Sequence, residues 1–170
     1  MRAGFTIIEL TVVILIIAIV AAAATINLST PLANAKFQDV QIDLESFLLQ
    51  ARNRAANTDT AIEVTINIDN NIVTQKVAGT ELENQKRLAL PADYKIKRIV
   101  GEDFDISQGK MAVTYSTKGF ADSYAILIAG KSNTQHWLLV SGLTTALTSL
   151  NDEKEVKNLF KAINKSNNAG

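Results

Sequence analysis

The sequence of 170 residues has no cysteine, one histidine and two prolines. Without cysteine there is no disulfide framework, thiolate metal site or cysteine nucleophile, and His136 alone does not make a multi-histidine metal cage. The 17 basic and 17 acidic side chains give a formal net charge of zero, which argues against a generally basic nucleic-acid-binding protein. We therefore expect one modest domain with no cofactor and no metal.

Charge is also missing from one long stretch near the N terminus. The 26 residues from Leu10 to Ala35 carry none, and most of the first half is Ile, Val, Leu or Ala. An α-helix rises about 1.5 Å per residue, so roughly 20 residues cross a hydrocarbon core about 30 Å thick. This predicts a membrane-spanning helix over residues 5–30 after a polar leader, residues 1–4. Arg2 on the cytoplasmic side agrees with the positive-inside tendency and leaves the rest of the chain outside the cytoplasm.

Three other interpretations of this segment remain open. A cleaved secretory signal peptide has a shorter apolar core and a small-residue cleavage site, which Ala22, Ala23 and Ala24 mimic. A plain signal anchor explains the length of the run but not the acid Glu9 inside it. The third alternative is a buried helix of a soluble protein.

Glu9 separates these interpretations. A carboxylate inside an apolar helix costs at least ~2.5 kcal/mol on insertion scales, so a membrane segment that keeps one usually has a partner or a function for it. The nearest cation would be a free amine at Phe5, if the leader were removed after Gly4. Phe5 and Glu9 are four residues apart on one helix face, so such a pair could form within a chain or between neighbouring chains.

Residues 4–10, Gly-Phe-Thr-Ile-Ile-Glu-Leu, resemble the type IV prepilin signal, a short basic leader ending in Gly before Phe and an apolar helix with Glu at its fifth mature position. The resemblance implies that a prepilin peptidase in the inner membrane cuts between Gly4 and Phe5 and N-methylates Phe5. It also implies that Glu9 neutralises the N-terminal amine of an adjacent subunit during assembly. Two buried charges are far cheaper together than apart, so this pairing can select the axial register of packed helices.

Many members of that group carry a proline near the periplasmic end of the apolar helix, whereas here Pro31 lies several residues later. Because proline removes a backbone donor, we expect the helix to bend or break around Thr30. Beyond it, apolar residues recur at steps of three and four, which predicts an amphipathic helix over residues 31–57. The apolar positions are Phe37, Val40, Leu44, Phe47, Leu48, Ala51 and Ala55.

From residue 58 to residue 148 the pattern is that of an antiparallel sheet domain. Apolar residues alternate from Ile62 to Ile68, and three polar residues then form a turn into a second strand. Residues 79–87 and 101–109 are predicted loops, and the other predicted strands are 94–100, 111–115, 124–129 and 136–140. The expected class is α+β, one long helix followed by an antiparallel sheet that is open to division into two layers.

Two further stretches resemble the GspH/FimT family, the H-type minor pseudopilins and FimT-like minor pilins. One is residues 48–56 followed by a Val/Ile strand, which is similar to the end of their long helix and their first strand. The other contains Val113, Tyr115, Gly119 and Phe120 and is similar to their C-terminal sheet. With the leader these matches cover most of residues 1–148, and they imply a type IV pilin-like fold.

The tail, residues 149–170, carries the signature of an amphipathic helix. Asp152 as N-cap with Glu155 three residues later forms a capping box, and the apolar residues that follow mark one face. Four lysines lie on the opposite face, namely Lys154, Lys157, Lys161 and Lys165. A solvated lysine face over a docked helix is the ordinary interpretation, and salt-dependent contact with DNA phosphates is the alternative.

The functional prediction is a minor pilin or pseudopilin without catalytic residues, most directly of a type II secretion system. Before assembly it is a single-pass protein of the bacterial inner membrane with its C-terminal domain in the periplasm. Its expected partners are a prepilin peptidase, other pilin or pseudopilin subunits, membrane lipid and an inner-membrane assembly platform. Two alternatives stay open, a DNA-binding minor pilin for natural transformation or pilus biogenesis, and a membrane-anchored enzyme or binding module with an accidental leader.

Overall fold

The computed structural model describes residues 7–80, 85–131, 134–150 and 152–167, with the side chains of 23–34 and 163–167 left out. The chain forms two compact units, residues 1–39 and residues 40–170. The first unit is helical. The second holds the C-terminal part of the same helix, two antiparallel sheets and a shorter C-terminal helix.

Helix α1 is a single element of 52 residues, Ile7–Thr58. The expected break around Thr30 is wrong, because the helix continues through Pro31, and the alternative of a bend stays a prediction. Proline removes one intrahelical hydrogen bond at a cost of about 3 kcal/mol. Helix propagation is cooperative, so the long stretches on either side keep one break in the ladder from ending the helix.

The C-terminal end of α1 is at Thr58, one residue past the predicted end at residue 57. Asp59 follows the last helical residue with a φ of 47°, and the amide of Thr60 donates to the carbonyl of Ala55 at 3.3 Å. A left-handed residue followed by this six-to-one hydrogen bond is a Schellman motif, built here on Asp instead of the more common Gly.

The predicted apolar stripe of α1 is confirmed. All seven of its residues are buried, at 0–8% exposure: Phe37, Val40, Leu44, Phe47, Leu48, Ala51 and Ala55. In the second unit, Gln41 Nε2 donates to the carbonyl of Leu147 at 3.4 Å, and Lys86 Nζ donates to Gln50 Oε1 at 3.3 Å. Residues 40–58 therefore lie against strands from both sheets.

The two sheets are antiparallel throughout. The first has four strands in the order β3-β2-β1-β6, which are β1 Ile62–Asn67, β2 Ile72–Val77, β3 Lys86–Ala89 and β6 Lys110–Tyr115. The second has five in the order β5-β4-β7-β8-β9, which are β4 Lys95–Val100, β5 Asp105–Ile106, β7 Tyr124–Ala129, β8 Gln135–Val140 and β9 Leu147–Leu150. The predicted class, α+β with an N-terminal helix and antiparallel sheets, is confirmed.

Three strands depart from the sequence prediction, and all three are at sheet edges. Strand β3 begins at Lys86, inside the predicted loop 79–87, and β5 lies inside the predicted loop 101–109. Strand β9 was not predicted and runs to Leu150, two residues past residue 148. Edge strands are short and polar, so they carry too little two-residue alternation to be recognised from sequence.

Helix α2 comprises Glu153–Asn167. It packs on one face of the second sheet. The buried cluster at this contact consists of Val100, Ala125, Leu127, Trp137, Leu150, Val156 and Phe160. The amide of Glu155 donates to Asp152 Oδ1 at 2.9 Å, which is the hydrogen bond of the predicted N-cap.

Gly119 brings the β6–β7 connection against the end of α1. Its φ is +77°, and a Cβ placed on it would lie 3.2 Å from Arg52 Cγ and 3.4 Å from the Arg52 carbonyl oxygen. Gly79 has the same φ with nothing within 4 Å of such a Cβ. The two glycines therefore separate the cost of a left-handed backbone from the cost of a close approach.

We expect Gly79→Ala to lower the free energy of unfolding by about 1 kcal/mol, the cost of alanine in the left-handed region. Gly119→Ala should lower it by roughly 2–3 kcal/mol, because the methyl group also presses on α1. Urea denaturation of the two variants in the same detergent measures the difference. Equal losses would show that the contact between Gly119 and α1 contributes nothing to stability.

Candidate functional site

The first part of α1 exposes apolar side chains in every direction. The eleven large ones between Ile7 and Val20 are all exposed, from 43% at Val13 to 84% at Ile7. Contiguous apolar surface on this scale marks contact with a membrane or another protein. The side chains are exposed because no other element of the first unit covers them.

Among the described residues, no helix combines the length and the apolar character needed to cross a membrane. The predicted span, residues 5–30, extends beyond the described residues at its N-terminal end and remains a prediction. The proposed cleavage site between Gly4 and Phe5 also lies outside the described residues.

Glu9 is in the first turn of α1 and is exposed. A carboxylate there is favoured by the partial positive charge at a helix N terminus. Two residues later, the Thr11 hydroxyl donates to the carbonyls of Ile7 and Ile8 at 2.9 Å each. The threonine thus satisfies its polar group within the helix.

The predicted lysine face of α2 is present in the described residues. Lys154, Lys157 and Lys161 are exposed, and the side chain of Lys165 lies outside the described residues. Lys157 Nζ is 2.6 Å from Glu153 Oε1. A cleft of about 430 Å³ lies between α2 and the β4–β5 loop, and three acids line it with Lys157 and Lys161, namely Glu102, Asp103 and Asp105. The electrostatic potential on this side of α2 therefore has contributions of both signs.

An ion-pair network, which the sequence did not reveal, joins α2 to the second sheet. Arg98 on β4 donates from Nε to Asp105 Oδ1 at 2.6 Å and from Nη1 to Glu153 Oε2 at 3.0 Å. A second guanidinium nitrogen also contacts Asp105, so that pair is bidentate. Asp105 lies within the predicted loop 101–109, and only the β4–β5 pairing brings it to Arg98.

The network shifts the ionisation of its members. The hydrogen bond from Arg98 lowers the pKa of Asp105, and the hydrogen bond from Lys157, with the charge of Arg98, lowers the pKa of Glu153. The hydrogen bond to Asp105 raises the pKa of Arg98. All three groups are thus held in their charged forms at neutral pH.

A pair of tyrosine hydroxyls lies inside the domain, where the two sheets meet. The hydroxyls of Tyr115 on β6 and Tyr124 on β7 are buried and face each other outside hydrogen-bond geometry. Burial raises the pKa of Tyr115 to about 12, and burial also raises the pKa of Tyr124 well above its ordinary value. Both phenols therefore stay neutral at physiological pH and serve as packing residues.

His136 lies on β8 opposite Ile128, and burial lowers its pKa. Its neighbour Trp137 belongs to the core under α2. In the described parts of the chain, no three His, Asp or Glu side chains converge as metal ligands would. The described geometry thus offers surfaces for contact with other molecules.

Comparison with known proteins identifies the class of the N terminus. Residues 1–25 match the family model described as the prokaryotic N-terminal methylation motif, which confirms the resemblance to type IV pilin-like proteins stated from residues 4–10. No curated protein sequence matches the chain.

Solved structures of low identity resemble the chain. The minor pseudopilin EpsH from the type 2 secretion system of Vibrio cholerae is 14% identical with a TM-score of 0.47, covering 66% of this chain and 94% of EpsH. The type IV minor pilin FimU of Pseudomonas aeruginosa is 15% identical with a TM-score of 0.49, covering 69% of this chain and 90% of FimU.

The sole tryptophan reports on the docking of α2, because Trp137 is buried in the core beneath it. The lowered pKa values of Asp105 and Glu153 contribute stability that is present above their unfolded values of about 4 and is lost as the pH falls through the folded values. We expect the Trp137 emission to be constant from about pH 8 to pH 5 and to shift to the red below about pH 4.

The matched variant is Arg98→Met, which keeps the aliphatic stem but removes the guanidinium. In this variant α2 should be less stably docked at pH 7. The denaturant midpoint, followed by Trp137 fluorescence, should also differ less between pH 7 and pH 3 than in the wild type. The same acid dependence in both proteins would exclude the network as its source.

Proposed function

We propose that the chain is a minor pilin or pseudopilin, a structural subunit of a periplasmic filament, most directly of a type II secretion system. The observation that carries the proposal is the position of the methylation motif. It covers residues 1–25, and the described residues from Ile7 onward form a helix with exposed apolar side chains that continues into the second unit. Such a chain joins a filament core and carries its folded domain outside.

In this proposal a prepilin peptidase cuts between Gly4 and Phe5 and methylates the new amine of Phe5. Glu9 then meets the amine of a neighbouring subunit. Leaving either charge alone in an apolar core costs several kcal/mol, so the pair fixes how far one helix is displaced along the next. The proposal includes no catalytic role for the chain itself.

The same exposed apolar surface supports a proposal for the localisation of the chain. Before assembly, the apolar helix is held by lipid in the bacterial inner membrane with the sheet domain in the periplasm. On the assembly platform, helix contact replaces lipid contact. Because lipid is as apolar as the filament core, the exchange costs little, and packing and charge pairing decide its direction.

The second candidate function is DNA binding by a minor pilin. It is favoured by the exposure of Lys154 and Lys161, which have no ion pair among the described residues. Neutralisation of phosphates would make the affinity fall steeply with salt. Duplex affinity of the full chain in detergent, measured across a salt series, tests it. The affinity should fall when Lys154, Lys157, Lys161 and Lys165 are reversed to Glu, and indifference to that change removes this candidate.

The structural role is tested by changing the acid of the apolar helix. We expect Glu9→Ala and Glu9→Gln to insert into the membrane as well as the wild type or better, since each removes a buried charge. Both should lower incorporation into sheared filaments at least about 10-fold, because breaking a buried pair costs about 3–5 kcal/mol.

Thr11→Ala is the matched control, because it also removes a polar group from the first turns of α1 without removing charge. It should assemble normally. Normal incorporation of the Glu9 variants would discard the pairing role.

A further inference from the structure

The outer face of the first sheet carries a polar cleft of about 370 Å³. A strand alternates its side chains between two faces, and Val64 and Ile66 of β1 are buried on the inner face. Glu63, Thr65 and Asn67 therefore point to the outer face, where they form one part of the cleft lining. The other lining residues come from β2, β3, β6 and the residue before β3, namely Ile72, Thr74, Lys76, Gln85, Arg87 and Lys110.

The strand register orders these side chains in rows across the sheet. In one row Arg87 lies opposite Thr74, which lies opposite Thr65. In the next row Asn67 lies opposite Lys110. Arg87 and Lys110 are on the two edge strands, three strand spacings and two residues apart, so their Cα atoms are separated by roughly 16 Å. The two cations thus stand at diagonal corners of the cleft.

The hydrogen-bond acceptors of the cleft are already used within the sheet. Glu63 Oε1 is 3.4 Å from Lys76 Nζ and also accepts from the Thr65 hydroxyl at 3.4 Å. Asn67 Oδ1 accepts from the Asn70 amide at 3.1 Å, which leaves the two N–H groups of the Asn67 side chain as donors. The hydrogen-bonding groups that the cleft offers to a ligand are therefore mainly donors.

Positive charge in the cleft exceeds negative charge. Among the described residues, three cations and one acid line it. Lys76 is paired with that acid, whereas neither Arg87 nor Lys110 has an ion pair within the described part of the chain. The acid of the nearby β1–β2 turn, Asp69, accepts from the Gly109 amide at 3.1 and 3.2 Å. A cleft rich in donors, with two cations left over, is complementary to an anion.

We propose that this cleft binds a small ligand that carries two or more oxyanion groups, carboxylate or phosphate. One group meets Arg87, whose planar guanidinium suits two parallel hydrogen bonds to an oxyanion. Another meets Lys110, with the Asn67 amide beside it as a neutral donor. The volume lies at the lower end of the range for small-molecule sites, about 300–1,000 Å³. This inference goes beyond the proposed function and does not depend on it.

The lining also limits the class of ligand. Among the described residues that form the cleft, none is aromatic, so the stacking that holds nucleic-acid bases on a protein surface does not operate here. The one large apolar side chain, Ile72, is half-buried between polar neighbours. The acid groups of the ligand, and not a flat ring, therefore supply most of its contacts.

The test is calorimetric titration of the full chain in an uncharged detergent at low salt, with inorganic tripolyphosphate and with citrate as probes. We expect the wild type to bind at least one of them. Arg87→Gln combined with Lys110→Gln should lower the affinity at least about 10-fold, because hydrogen bonds to charged groups are lost at both corners. Unchanged affinity would overturn the inference.

The matched control is Lys86→Gln combined with Lys118→Gln, which removes the same charge elsewhere. Lys86 is next to Arg87 on β3, but its Nζ donates to Gln50 Oε1 of α1 at 3.3 Å, so it lies on the other face. The control should bind within about 2-fold of the wild type, since surface charges act weakly at a distance. Equal losses in both double variants would show general attraction to a charged surface and would overturn the site.

The two probes distinguish the sources of the acid group. Binding of both supports recognition of oxyanions in general, and binding of one alone supports the site and identifies its acid group as phosphate or carboxylate. Binding of neither overturns the inference. Loss of binding on Lys154→Gln with Lys161→Gln, together with normal binding by the Arg87 and Lys110 variant, would place the anion on α2 and also overturn it.

Lysine acetylation maps the site without any substitution. The wild type is treated with acetic anhydride with and without the probe that binds, and the modified lysines are measured by mass spectrometry. Acetylation of Lys76 and Lys110 should slow at least about 3-fold with the probe, because contact with an oxyanion engages their amines. Lys86 and Lys118 should react at an unchanged rate. Equal protection of all four lysines, or of none, contradicts the inference.

Discussion

Burial of one side of α1 is the interaction on which the second unit depends. The stripe from Val40 to Ala55 is fully or almost fully buried, and residues of the same helix bond to strands at the edges of both sheets. Truncating one buried leucine of this kind costs about 2–5 kcal/mol.

The first unit obeys the opposite rule. The large apolar side chains from Ile7 to Val20 are exposed all around the helix, and in water each fully exposed residue of this size forfeits about 1.5–3 kcal/mol of burial energy. Contact with lipid or with other helices would recover this energy. Glu9 is the one charge in this surface, and a single charge in an apolar contact discriminates between registers more sharply than many apolar side chains do.

The sequence was most informative where a hydrophobic pattern repeated over many residues or where a motif lay within a few consecutive residues. The buried stripe of α1, the hairpin of β1 and β2 and the capped start of α2 all come from local patterns, because capping and alternation involve residues close together in the chain. The methylation motif was readable in residues 4–10 for the same reason. These features cover both ends of the molecule and the class of its fold.

The rest required tertiary contacts. The edge strands β3, β5 and β9 are too short and polar to be recognised from the sequence. Pro31 is tolerated within α1 because the helix around it is long. Arg98 and Asp105 are joined only when β4 pairs with β5, and Glu153 only when α2 docks. The exposure of Ile42 and Leu49 was also hidden, since a helical sequence pattern does not show which of its apolar residues the sheets will cover.

The central claim is that this chain is made with a leader and matures at Phe5, and mass spectrometry of the N-terminal peptide tests it most directly. Protein isolated from cells with an active prepilin peptidase should begin at Phe5 with its amine methylated. A chain that still carries Met1 to Gly4 under those conditions would contradict the account.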